Sequence, residues 1–263
     1  MKMKQIAPII SLIFILLVVT AACSPQATPE PTATAIPPTD TPAPTATKTK
    51  IPTSTPTPTA TPNLAATQEA EEVAARIQSY VDKGYLTSTE GELIKLDDYE
   101  REMAKIGYLD FDFAGTEDLV QNFAIWANIK WENAGPVGPP YYSGCGFNFR
   151  MDPDNFDGYT AMLTNSRVLL TYCDSSISRC GEIGKTRGSG KLSLGNPAEA
   201  SMEMVVNGTQ AYVLVDGEFI GEYTLFKDKL IDPGYLVYSI ISGTNRDYGL
   251  RCEITESNLW VVK

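Results

Sequence analysis

The sequence has no histidine, five cysteines and three tryptophans in 263 residues. Without histidine there is no Ser-His-Asp or Cys-His nucleophilic site, no HExxH zinc protease and no imidazole switch near neutral pH. Positive charge is scarce as well: 21 Lys and Arg stand against 32 Asp and Glu, a formal charge of −11 at pH 7. A chain this acidic repels phosphate backbones and anionic lipid, which argues against nucleic acid as a partner and favours neutral or cationic ones. Long apolar runs are missing except at the start. There, residues 6–19 are apolar apart from Pro8 and Ser11, shorter than the about 18–20 residues that cross a bilayer comfortably.

What stands at the start is an address. Lys2 and Lys4 precede the apolar run and Thr20-Ala21-Ala22-Cys23 closes it with small residues, the pattern of a signal peptide over residues 1–22. Thr20-Ala21-Ala22-Cys23 resembles the bacterial lipobox, with Thr20 where Leu is usual. That resemblance implies cleavage before Cys23 and acylation of its thiol and of the new amino terminus. Two or three acyl chains on one residue hold a protein stably on a membrane, so the expected location is the cell membrane, lipid-anchored and extracytoplasmic, with secretion as the alternative that Thr20 leaves open. Residues 23–62 are almost wholly Thr, Pro, Ser and Ala, with TPAPTAT and TPTPTATP as near repeats. No core forms from that composition, and its proline content favours an extended stalk reaching on the order of 100 Å. An inert spacer and an O-glycosylated stalk both fit it.

The folded part is expected from Asn63. Asn63 suits a helix N-cap, Ala70, Val73, Ile77, Tyr80 and Val81 recur at helical spacing, and Gly84 supplies a stop. Asp97 with Glu100 three residues on, followed by Tyr99, Met103 and Ile106 and ended by Gly107, reads as a second helix; residues 63–107 are thus expected to be a helical N-terminal segment. Beyond it the period falls to two. Phe123, Ile125, Ala127, Ile129 and Trp131 alternate with more polar neighbours, as do Cys145, Phe147 and Phe149, and Asn207-Gly208 and Asp216-Gly217 mark tight turns between three successive strands. Adding 159–164, 167–173, 235–242, 248–254 and 258–262 gives about ten or more short strands over 108–263, with no long helix between them. The fold expected is mainly β, an antiparallel two-sheet sandwich preceded by one or two short α-helices.

The run Asn122 to Trp131, the segment Ser143-Gly144-Cys145-Gly146-Phe147-Asn148-Phe149-Arg150, the paired hairpins, and Gly249-Leu250-Arg251-Cys252 ending in Leu259-Trp260-Val261-Val262 resemble the concanavalin A-like lectin/glucanase superfamily. The nearest parts of it are the laminin-G-like and keto-disaccharide-hydrolase-like jelly rolls of bacterial surface lipoproteins. The resemblance covers about residues 111–263 and rests on strands and turns. It implies two stacked sheets and a glycan ligand held on the concave face or its rim loops; fold alone does not imply function.

With Cys23 lipidated, Cys145, Cys173, Cys180 and Cys252 remain, and three pairings are open. Cys173 with Cys180 across a short turn, and Cys145 with Cys252 across most of the domain, are the favoured ones. No CxxC pair suggests zinc. The superfamily's glucanases place two carboxylates about 5 Å apart, whereas the nearest pair here, Glu218 and Glu222, would stand about 13 Å apart on a strand. Asp152, Asp154, Asn155 and Asp157 read as a turn before Gly158 more readily than as a calcium loop, since Phe156 falls where an oxygen ligand belongs. No metal and no cofactor are therefore expected. The binding candidates are Trp126, Asn128, Asn148 and Arg150, read as one outward patch on paired strands, with Tyr141 and Tyr142 as a rim behind Pro139-Pro140; rings stack on sugars and amides or guanidinium groups bond their hydroxyls. The competing role for Trp126 is packing beneath the N-terminal helices. The expected function is a non-catalytic, monomeric, membrane-anchored domain that binds glycan or another envelope component, with a glycoside hydrolase or an adhesive protein-binding domain as alternatives. Changing Cys23 to Ala should move the protein from the membrane to the soluble fraction with its melting curve unchanged; an acylated, membrane-bound variant would refute the anchor.

Overall fold

The computed structural model describes residues 64–263 except 115, 117, 138–140, 178 and 230–232. The leader, Cys23, the stalk, Asn63, Pro139 and Pro140 lie outside the described residues. Helix α1, Leu64–Asp82, is the expected first helix. Its end is a Schellman turn: Gly84 takes φ 73°, its N–H bonds to the Val81 carbonyl at 2.9 Å, and the Tyr85 N–H to that of Tyr80 at 2.8 Å.

Fourteen strands follow among the described residues. They are β1 Gly91–Lys95, β2 Tyr99–Met103, β3 Tyr108–Phe113, β4 Phe123–Asn133, β5 Gly144–Met151, β6 Gly158–Thr164 and β7 Val168–Asp174. Then come β8 Arg179–Glu182, β9 Lys185–Gly188, β10 Ala198–Asn207, β11 Gln210–Val215, β12 Glu218–Thr224, β13 Tyr235–Ser242 and β14 Leu250–Val262. All the strand pairs are antiparallel and form two sheets. One has eight strands in the order β1-β14-β4-β10-β11-β12-β9, with β2 also on β14; the other has six in the order β3-β13-β5-β6-β7-β8. The expected two-sheet sandwich is present.

Period-two alternation puts the core where the sequence indicates. Phe123, Ile125, Ile129 and Trp131 of β4 face Phe147 and Phe149 of β5 in one buried cluster, with the Phe123 and Phe149 rings edge-on at 6.0 Å. A second cluster lies on the other side of the larger sheet, where Ile77 and Tyr80 of α1 cover Ala124, Trp126, Val205 and Leu214. Asp216-Gly217 forms the expected two-residue turn with positive φ at both positions. The preceding hairpin turns one residue later than expected: Asn207 pairs with Gln210, leaving Gly208 and Thr209 in the turn with positive φ at Gly208 alone.

Two expectations need correction. The second helix is strand β2, whose residues 99–103 pair with 250–254 of β14. Tyr99 and Met103 are buried while Glu100, Arg101 and Glu102 are exposed, and a spacing of four puts two residues on one side of a helix and of a strand alike. The open edge of β14 decides between them, and Asp97, read as a cap, instead accepts the Tyr238 hydroxyl on its carbonyl at 2.6 Å. Residues 63–107 are consequently not a helical segment apart from the sandwich, since β1 and β2 belong to its larger sheet. The expected strands 248–254 and 258–262 are likewise one strand, β14, whose pairing with β4 shifts register between Thr255 and Asn258, beside Glu256 at φ 53°.

Both favoured disulfides are formed, Cys145–Cys252 and Cys173–Cys180. The first joins β5 of one sheet to β14 of the other, with both cysteines fully buried. It spans 107 residues, and closing a loop of that length stabilises by about 5 kcal/mol in the chain-entropy model. Cys252→Ser should lower the melting temperature strongly and expose one free thiol at Cys145, whereas Cys180→Ser, spanning 7 residues, should cost about 2 kcal/mol. Thiol titration and melting curves of the two variants check this; equal losses would contradict it.

Candidate functional site

The residues expected to form one patch fall on two sheets. Trp126 and Asn128 lie on β4 of the larger sheet, Asn148 and Arg150 on β5 of the smaller one. Strand parity does turn Trp126 away from the central core, but α1 lies over it and leaves it 9% exposed. The Arg76 guanidinium stands 5.0 Å above its ring and reaches Glu203, its cross-strand neighbour, at 3.0 Å. The Tyr80 hydroxyl donates to the same carboxylate at 2.6 Å. This is a helix-docking network, the packing role rather than ligand contact.

Arg150 is 0% exposed. Its Nε and one terminal nitrogen donate to the Gln121 carbonyl at 3.2 and 3.0 Å, tying β5 to the segment that enters β4. A φ of 48° turns its side chain out of the strand's alternation. Asn148 lies in a row with Val237 and Thr160 on the outer face of the smaller sheet and is buried there. Its Oδ1 and the nearby Ser239 Oγ have no hydrogen-bond partner among the described residues. Asn128 is exposed and donates to Glu256 at 2.8 Å. Tyr141 is exposed; Tyr142 lies under the Arg167 guanidinium at 4.6 Å, before the start of β5 and so at the opposite end from Arg150. Glu222 pairs with Arg187 at 2.9 Å, and Asp152 and Asn155 accept backbone N–H groups from Asp154 and Asp157, each at 2.8 Å.

A different set of residues converges at the end of the smaller sheet. Tyr172, Asp174, Ile177, Arg179, Phe226 and Lys229 line a cleft of about 350 Å³. Three segments build it. The first is the hairpin β7–β8, stapled by Cys173–Cys180 and turned through a short 3-10 segment, Ser175–Ile177. The second is the Asp152–Asp157 turn, whose Asp157 carboxylate accepts the Ser175 N–H at 2.7 Å. The third is the chain leaving β12, where the Tyr159 hydroxyl donates to the Phe226 carbonyl at 3.3 Å and accepts its N–H at 3.1 Å. That clamp leaves the Phe226 ring 45% exposed, edge-on to Tyr172 at 6.2 Å, with Ile177 65% exposed in the same cleft. Exposed apolar groups held on hydrogen-bonded backbone are what a binding surface requires and what solvent disfavours.

The cleft is also charged. Asp174 is held below the usual carboxylate range, first by the hydrogen bond from the Ser176 hydroxyl and then by the Lys229 ammonium 3.8 Å away. Lys229 stands 5.6 Å over the Tyr172 ring. Burial, followed by the charges of Asp157, Asp174, Asp152 and Asp228, pushes the Tyr172 phenol up to about 12. Sequence reading missed these residues, although Phe226, lying beyond the β12 strand pattern and among Lys227, Asp228 and Lys229, is an isolated ring in a polar setting. It missed Phe111 and Phe113 too. They alternate with Asp110 and Asp112 on the edge strand β3 and form an exposed fringe with Phe156 and Tyr235 at 5.7 and 5.3 Å.

No protein-family model matches the sequence, and no curated protein does. Among solved structures, the carbohydrate-binding module CBM66 from Bacillus subtilis is similar with a TM-score of 0.44 and 10% identity, over 65% of this chain and 96% of that one. Sheep galectin-11 has a TM-score of 0.35 and 10% identity, over 59% and 98%. The β-porphyranase BpGH16B from the gut bacterium Bacteroides plebeius has 0.38 and 6%, over 55% and 64%. These neighbours are concanavalin A-like jelly-roll sandwiches. In this chain the strand order itself establishes the sandwich.

Because Trp126 and Arg150 are structural, Trp126→Ala should cost about 3–5 kcal/mol, as truncation of a buried aromatic does, and Arg150→Ala should destabilise by leaving the Gln121 carbonyl unpaired. Denaturant melts check both; wild-type stability in either variant would return that residue to the ligand candidates.

Proposed function

We propose that the chain is a lipid-anchored, extracytoplasmic, monomeric protein whose sandwich binds glycan without cleaving it, through the cleft between the β7–β8 hairpin and Phe226. The observation that carries this reading is the juxtaposition of exposed Phe226 and Ile177 with Asp174, Arg179 and Lys229 on one stapled rim. An exposed ring gives a sugar its stacking surface, and planar charged groups around it satisfy hydroxyls in pairs. Arg179 makes no ion pair among the described residues, so its five donors are available. Binding without hydrolysis is the reading taken because a glycosidase needs two carboxyls flanking the scissile bond, and in this cleft Asp174 is engaged by Lys229 and the Ser176 hydroxyl while Glu182 is bridged to Arg167. The signal peptide, lipobox-like Cys23 and Thr/Pro-rich stalk supply the anchor and the reach in this reading.

A second location has an observation of its own. The outer face of the smaller sheet holds Asn148 Oδ1 and Ser239 Oγ, which are without a partner among the described residues, and an unmet buried acceptor costs about 1–3 kcal/mol that a polar ligand could offset. A glycan array probed with the full chain in detergent, followed by hydrolysis assays on each hit, tests the function. We expect binding with no cleavage, and Phe226→Ala should weaken it by about ten-fold or more, the loss of one stacking contact, with melting unchanged. Binding that survives Phe226→Ala but fails in Asn148→Ala would move the site to the sheet face. Cleavage of a bound glycan would make the protein an enzyme.

A further inference from the structure

The Tyr172 side of the cleft holds a charge pair that a neutral sugar does not explain. Asp174, Glu182 and Asp228 line the cleft with Arg179 and Lys229, and Glu182 is bridged to Arg167 at 2.8 Å. One of the two cations lies against the ring. The Lys229 ammonium lies over the Tyr172 ring at 5.6 Å and beside Asp174 at 3.8 Å. The first distance falls within the range of a cation–π contact, which is about 6 Å; the second is at the outer limit of an ion pair. Both partners stay partly solvated, with 40% of the Lys229 side chain and 22% of that of Asp174 exposed. An exposed ion pair of this kind is weak, so it yields readily to a competitor.

An aromatic face with a carboxylate beside it is a site for an ammonium group, and here the chain fills the position with its own. We propose that the cleft recognises a glycan carrying a free amino sugar, whose ammonium displaces Lys229 and takes its place between Tyr172 and Asp174. This rests on the glycan-binding reading and narrows its ligand class. Phe226 and Ile177 supply the apolar wall for the sugar ring, and Arg179 at the lip supplies donors for its hydroxyls. The charge of the whole chain, −11, draws a cationic polysaccharide toward it and repels an acidic one.

Isothermal titration of the full chain in detergent with a β-1,4-linked glucosamine oligomer, and with the same oligomer fully N-acetylated, tests the proposal without any mutation. The free amine should bind at least about ten-fold tighter, the scale of one charge-assisted contact. Asp174→Asn should abolish that preference, whereas Lys229→Ala should tighten binding of the glucosamine oligomer by several-fold because the internal competitor is gone. Equal affinity for the two oligomers, or preference for an acidic glycan, would overturn the ammonium assignment while leaving glycan binding intact. Weaker binding by Lys229→Ala would overturn it too, making Lys229 a ligand contact instead of a placeholder. If neither oligomer binds and a neutral and acidic glycan array is also blank, the glycan-binding reading itself fails. Should Asn at 174 disturb the turn that Ser176 bonds to, the Lys229→Ala result and the acetylation comparison still decide.

Discussion

The larger sheet is covered on its inner face by the central core and on part of its outer face by α1, and most of the molecule's behaviour depends on that constraint. One side of β4 packs into the central core, while the other lies in part beneath α1 through Ala124 and Trp126. The Glu203 carboxylate under the helix is used up by Arg76 and Tyr80. A strand in that position cannot offer its outward aromatic to a ligand, because lifting the helix would uncover Ile77, Tyr80 and Val205 together. Binding chemistry is pushed to the margins, where hairpins and loops escape the two clusters.

At the margin the difficulty is reversed. Loops are easily exposed but hard to hold still, and a binding surface gains affinity from being held in advance. The cleft at the end of the smaller sheet solves this with one covalent and two polar fastenings. Cys173–Cys180 fixes the hairpin, the Asp157 carboxylate fixes its turn through the Ser175 N–H, and the Tyr159 hydroxyl fixes Phe226 from both sides of its peptide unit. Each fastening uses a residue from a different part of the chain. The apolar groups that remain exposed are thus attached to well-anchored backbone.

The architecture was largely legible in the sequence because strands buried on one face announce themselves by alternation and because Asp216-Gly217 has few alternatives to a tight turn. Cysteine number left three pairings open, and the two favoured, one across a short turn and one between an early and a late strand, are those formed. Strand β2 was not, since Tyr99 and Met103 satisfy helical and extended periods equally and only the edge of β14 resolves them. Trp126 shows a subtler limit. Its parity was right, but parity says which way a side chain points and nothing about what lies over it. Asn148 and Arg150 were separated from Trp126 by a sheet change, since β4 and β5, although adjacent in sequence, belong to different layers. The cleft escaped for a related reason: Tyr172, Asp174 and Arg179 are distant in sequence from Phe226 and Lys229, and neither group forms a motif alone.

Helix α1 has a consequence in mechanics. It is the first described element, so a pull on the preceding chain enters the fold through its amino-terminal end. The load falls first on the contacts between α1 and the larger sheet, the Tyr80–Glu203 hydrogen bond and the Arg76 bridge among them, before it reaches any strand ladder. The strands behind it are additionally cross-linked between layers by Cys145–Cys252. Under tension the helix would therefore detach as a unit and add its own length to the chain ahead of it while the sandwich and its cleft stay folded, a sacrificial element in series with the sheets.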